Sequence, residues 1–360
     1  MNSFHLLINE YVNFIQLFDY KYIFIPILVV IAALIAVMYL IYLSHCFIHE
    51  LGHLIFGLFC GCKVLSYRIG KYVIVKEKYR IRVKIHKVKG SGGQCLLGEP
   101  KLNYRVSQYF IIVGGILFNI CLTMLSFIIS IHTAVVIKAV CYLSCFVGMI
   151  FLVMNGLPLN CLSILNDGKC LMLVRNNKEA QRCYYIQSKI CRLLFESVSY
   201  GDMPEECMTI DENSQLTNEL IGYLILVRYY HFLENNEYKL AIKCLKQFEP
   251  YEHRLSKEVL TDLYYEKLYI ELLTLKREYV IEKLINSNIL KKEFNKENNY
   301  LSIENNDINK IRVKMTYELI YTKNNLRGMQ YYNKAKSLLI KHQAAGEVKF
   351  QYTMLHRVLK

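Results

Sequence analysis

Charge is missing from this sequence in the stretches where a soluble protein would need it. Residues 23–43 carry no charged side chain, 106–131 carry none, and 133–159 carry only Lys138. A helix needs about 20 apolar residues to cross a hydrocarbon core, and each run meets that length, so a purely soluble fold is excluded. A small-residue cleavage site is also missing behind the first run, where His49, Glu50 and Gly52 follow instead. With its length and its distance from the start, that run is not a removable signal peptide. Regular cysteine spacing is absent too. The 13 cysteines are scattered, several inside apolar runs (Cys46, Cys121, Cys141, Cys145), which excludes a disulfide scaffold and predicts buried reduced thiols. Cys60-Gly-Cys62 is too tight for a zinc ribbon.

What charge there is lies in one place. Between Lys63 and Arg105 stand twelve Lys and Arg against Glu77 and Glu99, while the region after residue 170 has 29 basic and 24 acidic residues. Basic loops beside membrane spans stay in the cytoplasm and attract anionic headgroups. The net charge of +14 therefore reports topology and membrane lipids as partners, with no nucleic acid expected.

The organisation follows. Residues 1–21 form an amphipathic lead (Phe4, Leu7, Ile8, Tyr11, Phe14, Ile15, Phe18) expected at the interface. Residues 22–174 form a membrane α-helical core with spans at about 23–60, 106–131 and 133–158. One straight helix over 23–60 would be about 57 Å long, more than a bilayer core, and one long helix or two both fit. Pro26 is tolerable within a first turn. Inside the region 64–104, Lys71 to His86 alternates apolar and basic residues, the period of a strand, which predicts a β-hairpin. Three spans put that hairpin in the cytoplasm and the uncharged connection near Thr133 outside.

Residues 175–360 read as a cytosolic all-α domain, with apolar residues at helical spacing in Leu216–Phe232 and Val259–Leu275. The stretch 236–245 is echoed at 277–285 and more loosely at 329–339, the layout of tetratricopeptide-like helix pairs without their full consensus. A non-repetitive bundle is the alternative.

Within the first run stands His49-Glu50-Leu51-Gly52-His53. Residues four apart share a helix face, so the two histidines can grip one metal ion while Glu50 accepts a proton from water beside it. Two histidines and a glutamate near a membrane run are costly unless they serve chemistry. A third ligand is required. Asp167, in Asn166-Asp167-Gly168, returns to the same side after the third span and is the candidate, although an ordinary Asn-Asp-Gly turn is its bland reading.

On these residues the chain resembles the site-2 protease family of intramembrane zinc metalloproteases, over about 28–175. Beyond the HELGH stretch, Gly61 to Gly70 is similar to the family's continuation after its zinc helix. Gly92-Gly93-Gln94-Cys95 resembles its Gly-Gly signature, and Gly114 to Asn119 its glycine-to-asparagine motif. Asn155-Gly-Leu-Pro158 followed by Asn166-Asp167-Gly168 resembles its third-helix motif, with a longer gap and with Asn166 in place of the usual Leu. The resemblance implies Zn2+ held by His49, His53 and Asp167, and Glu50 as general base and acid. It implies substrate contacts from Asn119, Asn155, Gly92 and Gly93. Read bottom-up, Asn119 and Asn155 fit interhelical hydrogen bonds equally well.

The function expected is hydrolysis of a peptide bond in or beside a transmembrane segment, in a membrane-tethered regulator or a peptide precursor. The protein is expected in a bacterial cell membrane, with its C-terminal helices docking a protein or peptide partner. An unwound substrate segment would add as a strand to the edge of the basic hairpin. An inactive scaffold or receptor of the same fold, or a zinc hydrolase acting on soluble or lipid-linked substrates, are the rivals.

Overall fold

The computed structural model describes residues 20–77, 80–85, 92–159, 165–211, 214, 216–274, 278–294 and 307–359. The interfacial lead expected over 1–21 falls almost wholly outside them. The chain is mostly helical, with a small antiparallel sheet. Among the described residues, three helices are long and apolar enough to cross a membrane.

The first of these, α1 (Tyr20–Phe59), is one unbroken 40-residue helix, so a single element accounts for the first apolar run. At 1.5 Å per residue it is about 60 Å long, roughly twice a hydrocarbon core. Pro26 lies inside the helix, not in its first turn as its place in the sequence suggests. The other two are α2 (Tyr104–Ile131) and α3 (Val135–Gly156). All three leave large hydrophobic side chains uncovered, such as Ile35, Leu40, Leu125, Phe127, Val135 and Val136. Water would penalise such a surface, and lipid would not.

The three helices pack on one another through small residues. A Cβ added to Gly52 would lie 2.2 Å from the Gly114 carbonyl oxygen, so α1 and α2 touch backbone to backbone there. Close approach through glycine is how helices gain contact energy where lipid offers no hydrophobic drive.

Between α1 and α2 the chain forms four strands where the alternation predicts a two-stranded hairpin. They are β1 (Val64–Ile69), β2 (Tyr72–Glu77), β3 (Arg80–Ile85) and β4 (Gly93–Leu97), all antiparallel, in the order β3-β2-β1-β4. The predicted hairpin is β2–β3. β1 and β4 escape a periodicity reading because their burial does not alternate. The sheet is tied together by Arg68, buried in β1, which donates to the carbonyls of Gly70 (2.9 Å) and Gly93 (3.0 Å). β4 is an edge strand and packs beside α1.

After α3 come α4 (Asp167–Val174) and α5 (Lys178–Phe195). Ala180, Cys183, Ile186, Ile190 and Leu194 form the buried stripe of α5, a helical period facing the core. Then follow α6 (Glu219–Glu234), α7 (Tyr238–Lys246), α8 (Lys257–Thr274), α9 (Glu278–Ile285), α10 (Lys291–Phe294), α11 (Ile308–Thr316), α12 (Asn325–Leu339) and α13 (Ala345–Leu359). The three echoed stretches map onto α7, α9 and α12, each packed against the long helix before it or its continuation. Arg312 of α11 donates to both oxygens of Glu266 on α8 (2.6 and 2.7 Å) and is fully buried. Tyr229 and Tyr230 of α6 donate to the same carboxylate at 3.0 and 3.2 Å, so one buried ion pair joins three helices.

Candidate metal centre

His49 and His53 lie on one face of α1, as the four-residue spacing requires. Asp167 reaches them from the first position of α4, where the amides of a helix start favour an anion. Asn166 sets this placement. Its side chain accepts from the Lys169 N–H (2.9 Å) as the cap of α4 and donates to the carbonyls of Met154 (2.6 Å) and Leu157 (2.7 Å) at the end of α3. Gly168 is needed in the same corner, since a Cβ there would lie 2.4 Å from the Gly156 carbonyl oxygen. The asparagine that replaces leucine in the motif thus fastens the two helices whose junction presents Asp167. Part of the longer gap before it, 160–164, lies outside the described residues.

The three ligand atoms converge. His49 Nε2 and His53 Nε2 are 3.1 and 3.4 Å from Asp167 Oδ2 and 3.2 Å from each other. The protons bear on whether a cation fits here. His53 Nδ1 is 2.7 Å from the Ile111 carbonyl, which only accepts, so that nitrogen carries the hydrogen and Nε2 presents its lone pair. Asp167 Oδ2 is buried and makes no hydrogen bond of acceptable geometry, although both Nε2 atoms are near. Close electron-rich atoms without protons between them repel unless a cation lies among them. Zinc bonds of about 2.0–2.1 Å in a tetrahedron hold ligands about 3.3–3.4 Å apart, which matches. The group His49, His53 and Asp167 can hold a metal ion.

Space at the centre depends on glycine. A Cβ on Gly115 would come 2.5 Å from His53 Nε2 and 2.7 Å from His49 Cε1. A Cβ on Gly93 would come 2.5–2.9 Å from atoms of the Glu50 side chain, and one on Gly92 would strike Tyr42 and Cys46. Glu50, 8% exposed, faces the same cavity as the histidines.

That cavity measures about 870 Å³. Asn155, Gly92 and Gly93 line it, and so does all of β4. The strand bordering the centre is therefore β4, on the opposite edge of the sheet from the basic hairpin, whose outer strand is β3. The Asn155 side chain donates to the Phe151 carbonyl within its own helix. Asn119 is fully buried, its amide within 3.1 Å of His49 Nδ1 and 3.4 Å of His45 Nδ1.

Two features escaped the sequence reading. His45 lies one turn before His49 on the same face and is fully buried. The spacing His45-x-x-x-His49 is its signal, and a motif search that begins at His49 passes over it. The other is α5, whose Tyr184, Gln187, Ser188 and Cys191 wall the cavity. No local pattern in 178–195 says that a helix beyond the apolar runs walls this cavity. Compared with family models, curated proteins and solved structures, the chain matches none.

Proposed function

We propose that this protein is a zinc-dependent intramembrane endopeptidase of the site-2 protease type, cutting a membrane-tethered regulator or a peptide precursor. One observation carries the proposal. Two imidazole Nε2 atoms and a buried carboxylate oxygen meet within 3.1–3.4 Å, with Glu50 facing the same cavity, on helices that present apolar side chains outward. The motifs at Gly92-Gly93, Gly114–Asn119 and Asn166–Gly168 support it, because each lies at or beside this centre and none is scattered elsewhere.

When bound, zinc supplies Lewis acidity, polarising the scissile carbonyl and acidifying water. Glu50 takes the proton of the attacking water and returns it to the leaving amine, so the carboxylate ends the cycle as it began. A helical peptide bond is shielded by its own hydrogen bonds and packing, so the substrate must unwind before it is cut. The outer edge of β4 offers backbone partners to the unwound segment and leads it past Gly93 toward Glu50. The basic hairpin and the helical domain face the cytoplasm in this reading, which lets water reach the centre from that side.

The test compares membrane proteomes of cells carrying the wild type and Glu50→Gln. A membrane protein or precursor that accumulates uncut only in the variant is the result expected. Identical proteomes, with a zinc-loaded wild type, would favour the scaffold or the other-hydrolase reading.

A further inference from the structure

Resting on that reading, we infer that His45 is a positioning residue for the metal centre: acting through Asn119, it fixes the proton of His49 on Nδ1 and so frees Nε2 to bind the ion.

His45 is 0% exposed on a helix that crosses the membrane, an expensive place for an imidazole without a task. Its ring lies beside Phe151 of α3, with centroids 5.6 Å apart, and its partners come from two other helices. Nε2 is 3.0 Å from the Ser144 carbonyl oxygen and 3.2 Å from the Ser144 hydroxyl, which in turn lies 2.9 Å from the Ser126 hydroxyl. His45 Nδ1 lies 3.4 Å from Asn119 Oδ1, and Asn119 Nδ2 lies 3.1 Å from His49 Nδ1. A polar file therefore runs Ser144, His45, Asn119, His49 across α1, α2 and α3.

The proton count gives this file a direction. A carbonyl only accepts, so His45 Nε2 carries a hydrogen and donates it to Ser144. No carboxylate is among its contacts, so the ring is neutral and His45 Nδ1 is an acceptor. The atom placed against it is Asn119 Oδ1, and two acceptors cannot bond, so the proton count turns the amide over and sets its NH2 against His45. The two ends of an amide have the same shape, and the hydrogen-bond network decides between them. With the NH2 turned to His45, the Asn119 carbonyl turns to His49 and accepts from His49 Nδ1–H. The last lone pair in the file, on His49 Nε2, points at the metal position. Left as placed, the Asn119 NH2 would donate to His49 Nδ1, whose hydrogen would then sit on Nε2 and block the ligand. His45 thus does for His49, through one intermediary, what the Ile111 carbonyl does directly for His53. Outer partners of this kind commonly change metal affinity by about 10–100-fold.

The test uses the full-length protein in detergent and reads zinc affinity by competition with a chromophoric chelator, alongside the visible spectrum of the cobalt-loaded form. His45→Phe keeps an aromatic ring but removes the acceptor, and is expected to weaken zinc by about tenfold or more and to change the cobalt spectrum. His45→Gln can still donate to Ser144 and accept from Asn119, and is expected to recover most of the loss. Asn119→Asp accepts from His49 unaided, so in that background His45→Phe is expected to cost little. Should His45→Phe not fold, Asn119→Leu must show the same loss. Wild-type affinity and an unchanged cobalt spectrum in His45→Phe would overturn the inference and leave the zinc centre standing. A wild type that takes up no zinc would overturn both.

Discussion

Glu99 and Arg192 form a two-pronged ion pair that joins the end of the sheet to α5. Arg192 Nε lies 2.8–2.9 Å from both carboxylate oxygens, and Nη2 lies 2.7 Å from one of them. Lys63 and Glu196 add a second contact at 2.6 Å along the same seam. The consequence is functional: the helix that walls the metal cavity is held to the strand region that borders it. Arg192→Ala is expected to speed hydrogen exchange in α5 and to change which substrates are cut, while zinc content stays the same. The exchanged variant, Glu99→Arg with Arg192→Glu, should restore slow exchange.

The same pair fixes a pH response. Burial works to raise the Glu99 carboxyl, but hydrogen bonds from Arg192 outweigh it and hold it below its ordinary value of 4.5. A carboxyl depressed in the folded state stabilises it above the unfolded value and loses that effect as pH falls through the folded one. The seam should therefore stay closed at neutral pH and open only as pH falls below the ordinary carboxyl value of 4.5. Hydrogen exchange in α5 across an acid titration checks this, with Glu99→Gln as the control that removes the dependence.

Gly115 gives a steric test of the centre. A methyl group there would intrude between His49 and His53, with contacts near 2.5 Å. Gly115→Ala is expected to abolish zinc binding while the helical content of the protein, read by circular dichroism, is kept. Retained zinc would mean that the histidines do not lie against α2 as described.

Glu266 and Arg312 test the helical domain separately. Removing one partner of a buried pair strands the other charge, at about 3–5 kcal/mol. Glu266→Ala should lower the stability of the C-terminal helices by that order in chemical unfolding, whereas Glu266→Leu with Arg312→Met should restore much of it. Zinc content should follow neither change.

Much of this was legible in the sequence, for physical reasons that differ by element. The three apolar helices announce themselves because lipid demands runs without charge. His49, Glu50 and His53 are readable because a four-residue spacing is a geometric statement by itself. Asp167 was reachable only by following the chain back to the same side, and what positions it, the hydrogen bonds of Asn166 to Met154 and Leu157, depends on contacts that no spacing encodes. β1 and β4 lacked alternation, so the sheet was read as a hairpin. The link from His45 through Asn119 to His49 crosses separations of 74 and 70 residues between two helices, and it appears only once the helices are packed.

The measurement that bears most directly on the central claim is the zinc content of the purified full-length protein, by elemental analysis, for wild type and Asp167→Ala. About one zinc per chain in the wild type, falling to a small fraction in the variant, is the expected result. Little or no zinc in the wild type, or an equal content in both, would contradict the account.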